Sequence, residues 1–358
     1  MKRRLPRAKG PLVFAMMHRS LLRAVGIFTL LALGVVATSC RQAKEAGVAT
    51  PEPTAPKPTR ITVQLDWIPE PEHGGFYQAE ARGFFREAGL DVVLLPGGPN
   101  AFALQKIATG QADIAQQDST NVLLAIAEGL PVIHIGAVFQ NDPSVLMLHA
   151  DNPVSRFEDL NGKTIMARPE WAFIPYLKKK YKIDFKLIPQ NFSVANFIGN
   201  REFIQQGYYI AEPFHIVRGG AQPPKFLYAW DAGFDAYTVL AANRPWLEKN
   251  PEAARAFLAA YIRGWNDYLQ GDPTAAHALM KQGNPNASDE FLAFVRDQII
   301  RERLVTGRTP AEGDLTGRVT EERFRTQIRQ LEELGILPAG KLSVDRVVRT
   351  DLLPPSRP

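Results

Sequence analysis

From Ile61 onward the chain alternates short apolar runs with segments of helical spacing. "ITVQLDW" (61–67) has the length and alternation of a strand. Residues 75–88 read as a helix closed by Gly89, followed by a second strand, "LDVVLLP" (90–96). Gly97, Gly98 and Pro99 make a loop, and residues 100–110 read as a helix ending in Gly110. "ADIAQQ" (112–117) is a third strand, "DSTNVLLAIAEG" (118–129) a helix with cap residues at its start, and "PVIHIGAVF" (131–139) a fourth strand. This alternation predicts a parallel, doubly wound α/β sheet.

A second block starts near Val145. "VLMLHA" and "KTIMA" read as strands, with a short helix "RFEDLNG" between them. Residues 171–182 and 193–207 read as helices, and "YYIAEPF" (208–214) and "KFLYAW" (225–230) as strands. "YTVLAAN" (237–243) leads into a helical tail, where Phe257, Tyr261, Trp265 and Leu269 share one face. Phe324, Ile328, Leu331 and Leu334 do the same further on. The expectation is two α/β lobes, 60–149 plus 238–340 and 150–237, with the chain crossing near Ala150 and again near Tyr237. Residues 341–358 are expected to form a C-terminal tail, frayed at "PPSRP".

Charge changes the picture at the N-terminus. Residues 1–39 carry Lys2, Arg3, Arg4, Arg7, Lys9, Arg19 and Arg23 and no acid, which leaves 35 basic against 37 acidic residues elsewhere. The basic pI therefore gives no argument for nucleic-acid binding, which needs a basic patch on the folded part. Ala24–Thr38 is uncharged and short for a bilayer span, which needs about 20 residues, but suits a signal-peptide core. It runs into "ATSC" (37–40), small residues before a cysteine, which resembles a bacterial lipoprotein signal with Cys40 as the lipidated residue. Cys40 is the only cysteine, so no disulfide can form within one chain. The proline-rich residues 40–59 read as a tether.

"LDWIPEPEHGGFYQAEARGFFREAGLDVVLLPGG", "KIATGQADIAQQDSTNVLLAIAEGLPVIHIGAVFQ", "FEDLNGKTI", "AEPF" and "NPEAARAFLAAYIRGW" resemble the solute-binding proteins of bacterial ABC importers. Within these, they resemble the thiamine-precursor (pyrimidine) binding family, which is related to the yeast thiamine-pyrimidine synthase. The resemblance implies a two-lobed periplasmic-binding-protein fold (type II, Venus flytrap) with a double crossover and a helical C-terminal part. It also implies a small flat heterocyclic ligand, a permease and ATPase as partners, an exported, lipid-anchored location and a monomer. An aminopyrimidine leads as solute; riboflavin and sulfonate, taurine or nitrate are the alternatives.

Ligands of such sheets sit outside the carboxyl ends of the strands. Asp66 and Trp67 end the first strand, where a carboxylate and an aromatic face could hold a flat heterocycle. His73 and Tyr77 are expected in the cleft and Phe76 in the core. Gln117, Asp118 and Ser119 stand where a strand passes into a helix, so N-capping and binding can coexist there. Gln140 ends the fourth strand. Trp171 follows "KTIMA", with Arg168 and Glu170 beside it, and Glu212 stands in "AEPF". No cofactor, catalytic residue or metal site is expected. There is no phosphate loop, no His-Glu-x-x-His and no Gly-x-Ser-x-Gly, and the six histidines show no metal-type pairing.

Overall fold

The computed structural model describes residues 57–307 and 309–355. The signal over 1–39, the lipidated Cys40 and the tether as far as residue 56 lie outside the described residues; strand β1 already begins at Thr59.

The first part runs β1 (Thr59–Gln64), α1 (Gly74–Ala81), α2 (Phe84–Glu87), β2 (Leu90–Leu95), α3 (Ala103–Ala108), β3 (Ile114–Asp118), α4 (Ser119–Ala127) and β4 (Val132–Phe139). The helix expected over 75–88 is broken at Gly83, whose φ of 74° an L side chain would resist. The second part runs β5 (Ser144–Leu148), β6 (Thr164–Ala167), α5 (Phe173–Tyr181), β7 (Lys186–Pro189), α6 (Ala195–Gly199), β8 (Ile204–Tyr208), α7 (Glu212–Arg218) and β9 (Lys225–Tyr228). Then follow β10 (Thr238–Asn243), α8 (Arg244–Lys249), α9 (Pro251–Gln270), α10 (Thr274–Gly283), α11 (Asp289–Arg301) and α12 (Glu321–Glu333).

Two five-stranded sheets result, ordered β2-β1-β3-β10-β4 and β7-β6-β8-β5-β9. Each is mixed rather than parallel, because β10 and β5 run antiparallel to both their neighbours. The crossovers explain this. The chain leaves the first sheet at the carboxyl end of β4 and enters β5 within four residues, so β5 starts at the cleft where the other strands end. β10 re-enters the first sheet in the same way. The first crossing thus lies between Phe139 and Ser144, ahead of the expected Ala150.

Two segments differ from their sequence pattern. Residues 193–207, expected as one helix, contain the short α6 and then β8, whose Gln205 and Gln206 are buried. In "YYIAEPF" only Tyr208 belongs to a strand; Glu212 opens α7, with Pro213 in its first turn, a position that needs no N–H.

Helix α9 packs on α1 and α2 of the first lobe through buried Phe257, Tyr261, Trp265 and Tyr268. Tyr268 takes the place expected for Leu269, which is only partly buried. Within the expected tail, Val347 and Leu352 are buried, and His134 exchanges backbone hydrogen bonds with Val347 (3.0 Å) and Arg349 (3.0 Å); residues 356–358 of "PPSRP" lie outside the described residues.

Candidate functional site

The carboxyl ends of β1, β7 and β8 converge on an inner chamber of about 420 Å³. Its walls include Asp66, Trp67, Glu70 and Glu72 from the first lobe and Arg168, Gln190, Phe192, Gln205, Tyr208 and Glu212 from the second. The segment carrying Asp66 and Trp67 is fixed from behind. Gly97 donates to the Trp67 carbonyl (2.9 Å) and Gly98 to that of Asp66 (3.3 Å). A Cβ on Gly97 would collide with the Leu65 carbonyl and the Trp67 amide, so only glycine permits this approach.

His73 lies behind Asp66, fully buried, with Nε2 3.3 Å from Asp66 Oδ1 and 3.6 Å from Glu72 Oε1. Asp66, Glu72 and His73 bring ligand-type atoms within 4.8 Å of one another, a grouping the scattered histidines of the sequence did not reveal. Nδ1 of His73 accepts the Glu70 N–H (3.4 Å). In the neutral ring the proton is then on Nε2, facing the carboxylates. This tautomer makes His73 a donor that orients Asp66, and leaves Nε2 no lone pair for a metal.

The carboxyl groups are tuned by burial. Burial, then the charge of Glu212, pushes Glu70 up to about 8. Burial, then the charge of Asp66, raises Glu72 well above its ordinary value. Glu212, whose Oε2 accepts the Tyr208 N–H (2.8 Å), is pushed up to about 7 by burial. Gly207 leaves room for that carboxyl, whose carbon would stand 3.1 Å from a Cβ there.

Three buried oxygens of the chamber have no hydrogen-bond partner among the described residues: Glu72 Oε1, Gln190 Oε1 and Gln205 Oε1. The two amide groups are oriented by their nitrogens, which donate to the carbonyls of Gln206 (2.8 Å) and Ser193 (3.0 Å). The two free amide oxygens are acceptors, whereas the Glu72 carboxyl, whose pKa burial raises, can also present an O–H donor. Each group costs about 1–3 kcal/mol while buried and unpaired. Trp67 and Phe192 supply aromatic faces, with centroids 4.9 Å apart at a 40° tilt.

A family model described as NMT1/THI5 like matches residues 70–276. The chain belongs to the NMT1/THI5-like family. Over 271 residues it is 29% identical to the riboflavin-binding protein RibY of Chloroflexus aurantiacus, covering 72% of this chain and 76% of the relative. Over 266 residues it is 26% identical to the formylaminopyrimidine-binding protein of Halalkalibacterium halodurans, covering 71% and 80%. Over 236 residues it is 28% identical to a 4-amino-5-hydroxymethyl-2-methylpyrimidine phosphate synthase of Saccharomyces cerevisiae, covering 61% and 69%. Among solved structures, the periplasmic aliphatic sulphonate-binding protein of Escherichia coli aligns with a TM-score of 0.57 at 15% identity, covering 82% of this chain and 92% of that one. The fold is the two-lobed periplasmic-binding-protein fold.

Within this family member, the expected site residues divide. Asp66, Trp67 and Glu212 line the inner chamber, and Gln117 an adjoining outer one. The others are held elsewhere. Tyr77 is buried in the core, where burial pushes its phenol up to about 12. Asp118 caps α4 by accepting the Asn121 N–H (2.9 Å). Ser119 Oγ donates to Gln327 (2.9 Å) and accepts from Tyr237 (3.0 Å), tying α12 to the crossover. The Gln140 amide donates to the carbonyls of Leu315 (2.7 Å) and Arg318 (2.8 Å). Trp171 is packed under the second sheet, 4.9 Å from Phe173. In each of these five cases the side chain has a capping, bridging or core role, although the second carboxylate oxygen of Asp118 is buried without a partner among the described residues. Sequence reasoning missed Glu70, Glu72, Gln190, Phe192, Gln205 and Gln206. The available signal was two acids spaced by one residue inside a proline-rich turn, and a glutamine pair inside an otherwise apolar run.

Proposed function

We propose that this protein is the solute-binding component of an ABC importer. Exported and held at the membrane by a lipid on Cys40, it works as a monomer and catalyses no reaction. It captures an aminopyrimidine of the thiamine-precursor type in the inner chamber and closes its lobes around it. The observation that carries this reading is the acid-lined inner chamber, where Asp66, Glu72 and Glu212 stand around the Trp67 face. An aminopyrimidine offers exocyclic N–H donors to such oxygens and a flat ring to Trp67. A carboxylate also favours the protonated ring nitrogen. Sulfonate, taurine sulfonyl or nitrate oxygens would meet the Asp66 carboxylate as like against like. Arg168, half-buried at the chamber, feels the charges of Asp142, Asp66 and Glu170, which raise its pKa. The relative that binds formylaminopyrimidine supports the choice. A riboflavin-type solute is the second reading, favoured by the relative named for riboflavin and by the outer chamber.

Thermal melts of protein stripped of solute by unfolding and refolding test this. The panel is a hydroxymethyl aminopyrimidine, its formylamino relative, thiamine, riboflavin, taurine and nitrate. A ligand at a hundred times its Kd adds about 2.7 kcal/mol and lifts Tm by several degrees. A shift with the pyrimidines alone is expected. A shift with taurine or nitrate instead would overturn the solute assignment, and no shift with any would overturn the import role as well.

A further inference from the structure

The cleft holds a second chamber of about 590 Å³ outside the first. Four residues line both: Asp66, Trp67, Arg168 and Phe192. The wall between the chambers therefore includes the Trp67–Phe192 ring pair, with one ring from each lobe. The outer chamber is of mixed character, with Pro99, Phe102, Leu104 and Leu124 on its surface beside Gln105, Gln117, Asn121 and Glu128.

Phe192 occupies this wall under two unfavourable conditions. Its φ is 57°, a left-handed value that is an outlier for a bulky residue, and the residue is 40% exposed. The conformation is imposed locally. Asn191 Oδ1 accepts the Ser193 N–H (3.1 Å), Ser193 Oγ accepts the Ala195 N–H (3.2 Å), and Gln205 holds the Ser193 carbonyl. A strained backbone carrying an exposed aromatic persists where the surroundings fix it, and such residues gather at ligand clamps.

Length rather than volume decides what the pair can do. Ligand pockets span roughly 300–1,000 Å³, and the inner chamber of about 420 Å³ lies within that range. A fused three-ring solute with a polyol chain is longer than a single substituted ring, and is accommodated along the cleft only by extending past Trp67 and Phe192 into the outer chamber. We infer that the Trp67–Phe192 pair is a partition that sets solute length, admitting one ring and excluding a tricyclic one. This inference rests on the proposed pyrimidine reading for the occupant of the inner chamber.

The test is titration calorimetry with hydroxymethyl aminopyrimidine and riboflavin on the wild-type protein, Phe192→Gly, Phe192→Ala and Phe192→Tyr. The glycine variant removes the ring and relieves the positive φ, so it should fold at least as well as the wild type. The expected result is a shift of the pyrimidine-to-riboflavin affinity ratio toward riboflavin by about tenfold or more in the glycine and alanine variants, and the wild-type ratio in the tyrosine variant. An unchanged ratio, riboflavin bound by none of the four, or tight riboflavin binding by the wild type would overturn the partition. A wild type that binds no pyrimidine, with a glycine variant that gains riboflavin, would keep the partition and sink the pyrimidine reading.

Discussion

Glu212 should make the empty protein lose stability as pH rises. Its carboxyl is half-buried at the start of α7, where desolvation holds its folded pKa at about 7 against an ordinary value of 4.5. The sign follows from linkage. Between these two values the folded state holds a proton that the unfolded state has released, so stability falls with rising pH. The penalty is absent below the unfolded pKa, grows through the window from 4.5 to about 7, and is complete above it. For this one group, the two titrations integrate to a loss of about 2–3 kcal/mol between roughly pH 5 and pH 8. Glu70, raised to about 8 by burial and by the charge of Glu212, adds to the slope in the same direction.

The assay is urea unfolding of ligand-free protein at a series of pH values, comparing the wild type with Glu212→Gln. A glutamine oxygen can still accept the Tyr208 N–H, so the variant removes the charge and keeps the contact. Relative to the wild type, the variant should gain about 2 kcal/mol over the same range and be the more stable protein at the alkaline end. The readout is the difference between the two curves, because His134, whose pKa burial lowers to about 4, pulls the wild-type slope the other way. A variant with the wild-type slope would refute the claim that this carboxyl is held out of water.

Trp67→Ala and Asp66→Ala should each weaken pyrimidine binding tenfold or more, about 1.4 kcal/mol, by titration calorimetry; unchanged affinity in both would remove them from the site. Gly97→Ala should lower stability by about 1–3 kcal/mol and also impair binding, because its Cβ would drive apart the backbone that positions Asp66 and Trp67. Denaturation and titration of the same variant check both effects. Arg323 forms two bonds to Asp235 (3.0 and 2.8 Å), a third to the Ala236 carbonyl (3.1 Å), and lies 3.6 Å over the Tyr237 ring. Arg323→Ala should therefore cost about 1–3 kcal/mol, read by urea unfolding, by loosening the return crossover from α12.

The framework was legible where local pattern and final environment agree. The strands around Ile61 and Val132 are apolar because both faces of their sheet are covered, and the rule placing ligands at strand ends then pointed to Asp66 and Trp67. Legibility failed where the environment comes from distant residues. Gln205 and Gln206 favour a helix on local grounds, yet strand pairing with Met147 and Leu146 on β5 fixes them as strand. Glu70 and Glu72 look like solvated turn acids until Asn284 and the second lobe close over them. Tyr77 and Trp171 fail for the opposite reason. A large aromatic near a strand end satisfies a core as well as a cleft, and the spacing cannot tell which neighbour arrives.

The same distant closure suggests why binding and lobe closure are one event. Glu72 comes from the first lobe and Gln190, Gln205 and Glu212 from the second. Without a ligand, closing the lobes desolvates these polar groups, offset by interlobe contacts such as Trp67–Phe192, Phe214–Phe291 and Arg218–Glu290. With a donor, each pairing recovers a penalty of about 1–3 kcal/mol that exists in the closed form alone. The ligand's differential affinity for the closed state is therefore built from groups that are unsatisfied without it, and only such differential affinity can shift a two-state equilibrium. A solute that paired with one lobe only would bind without closing the protein. A permease that reads the closed form would then ignore it.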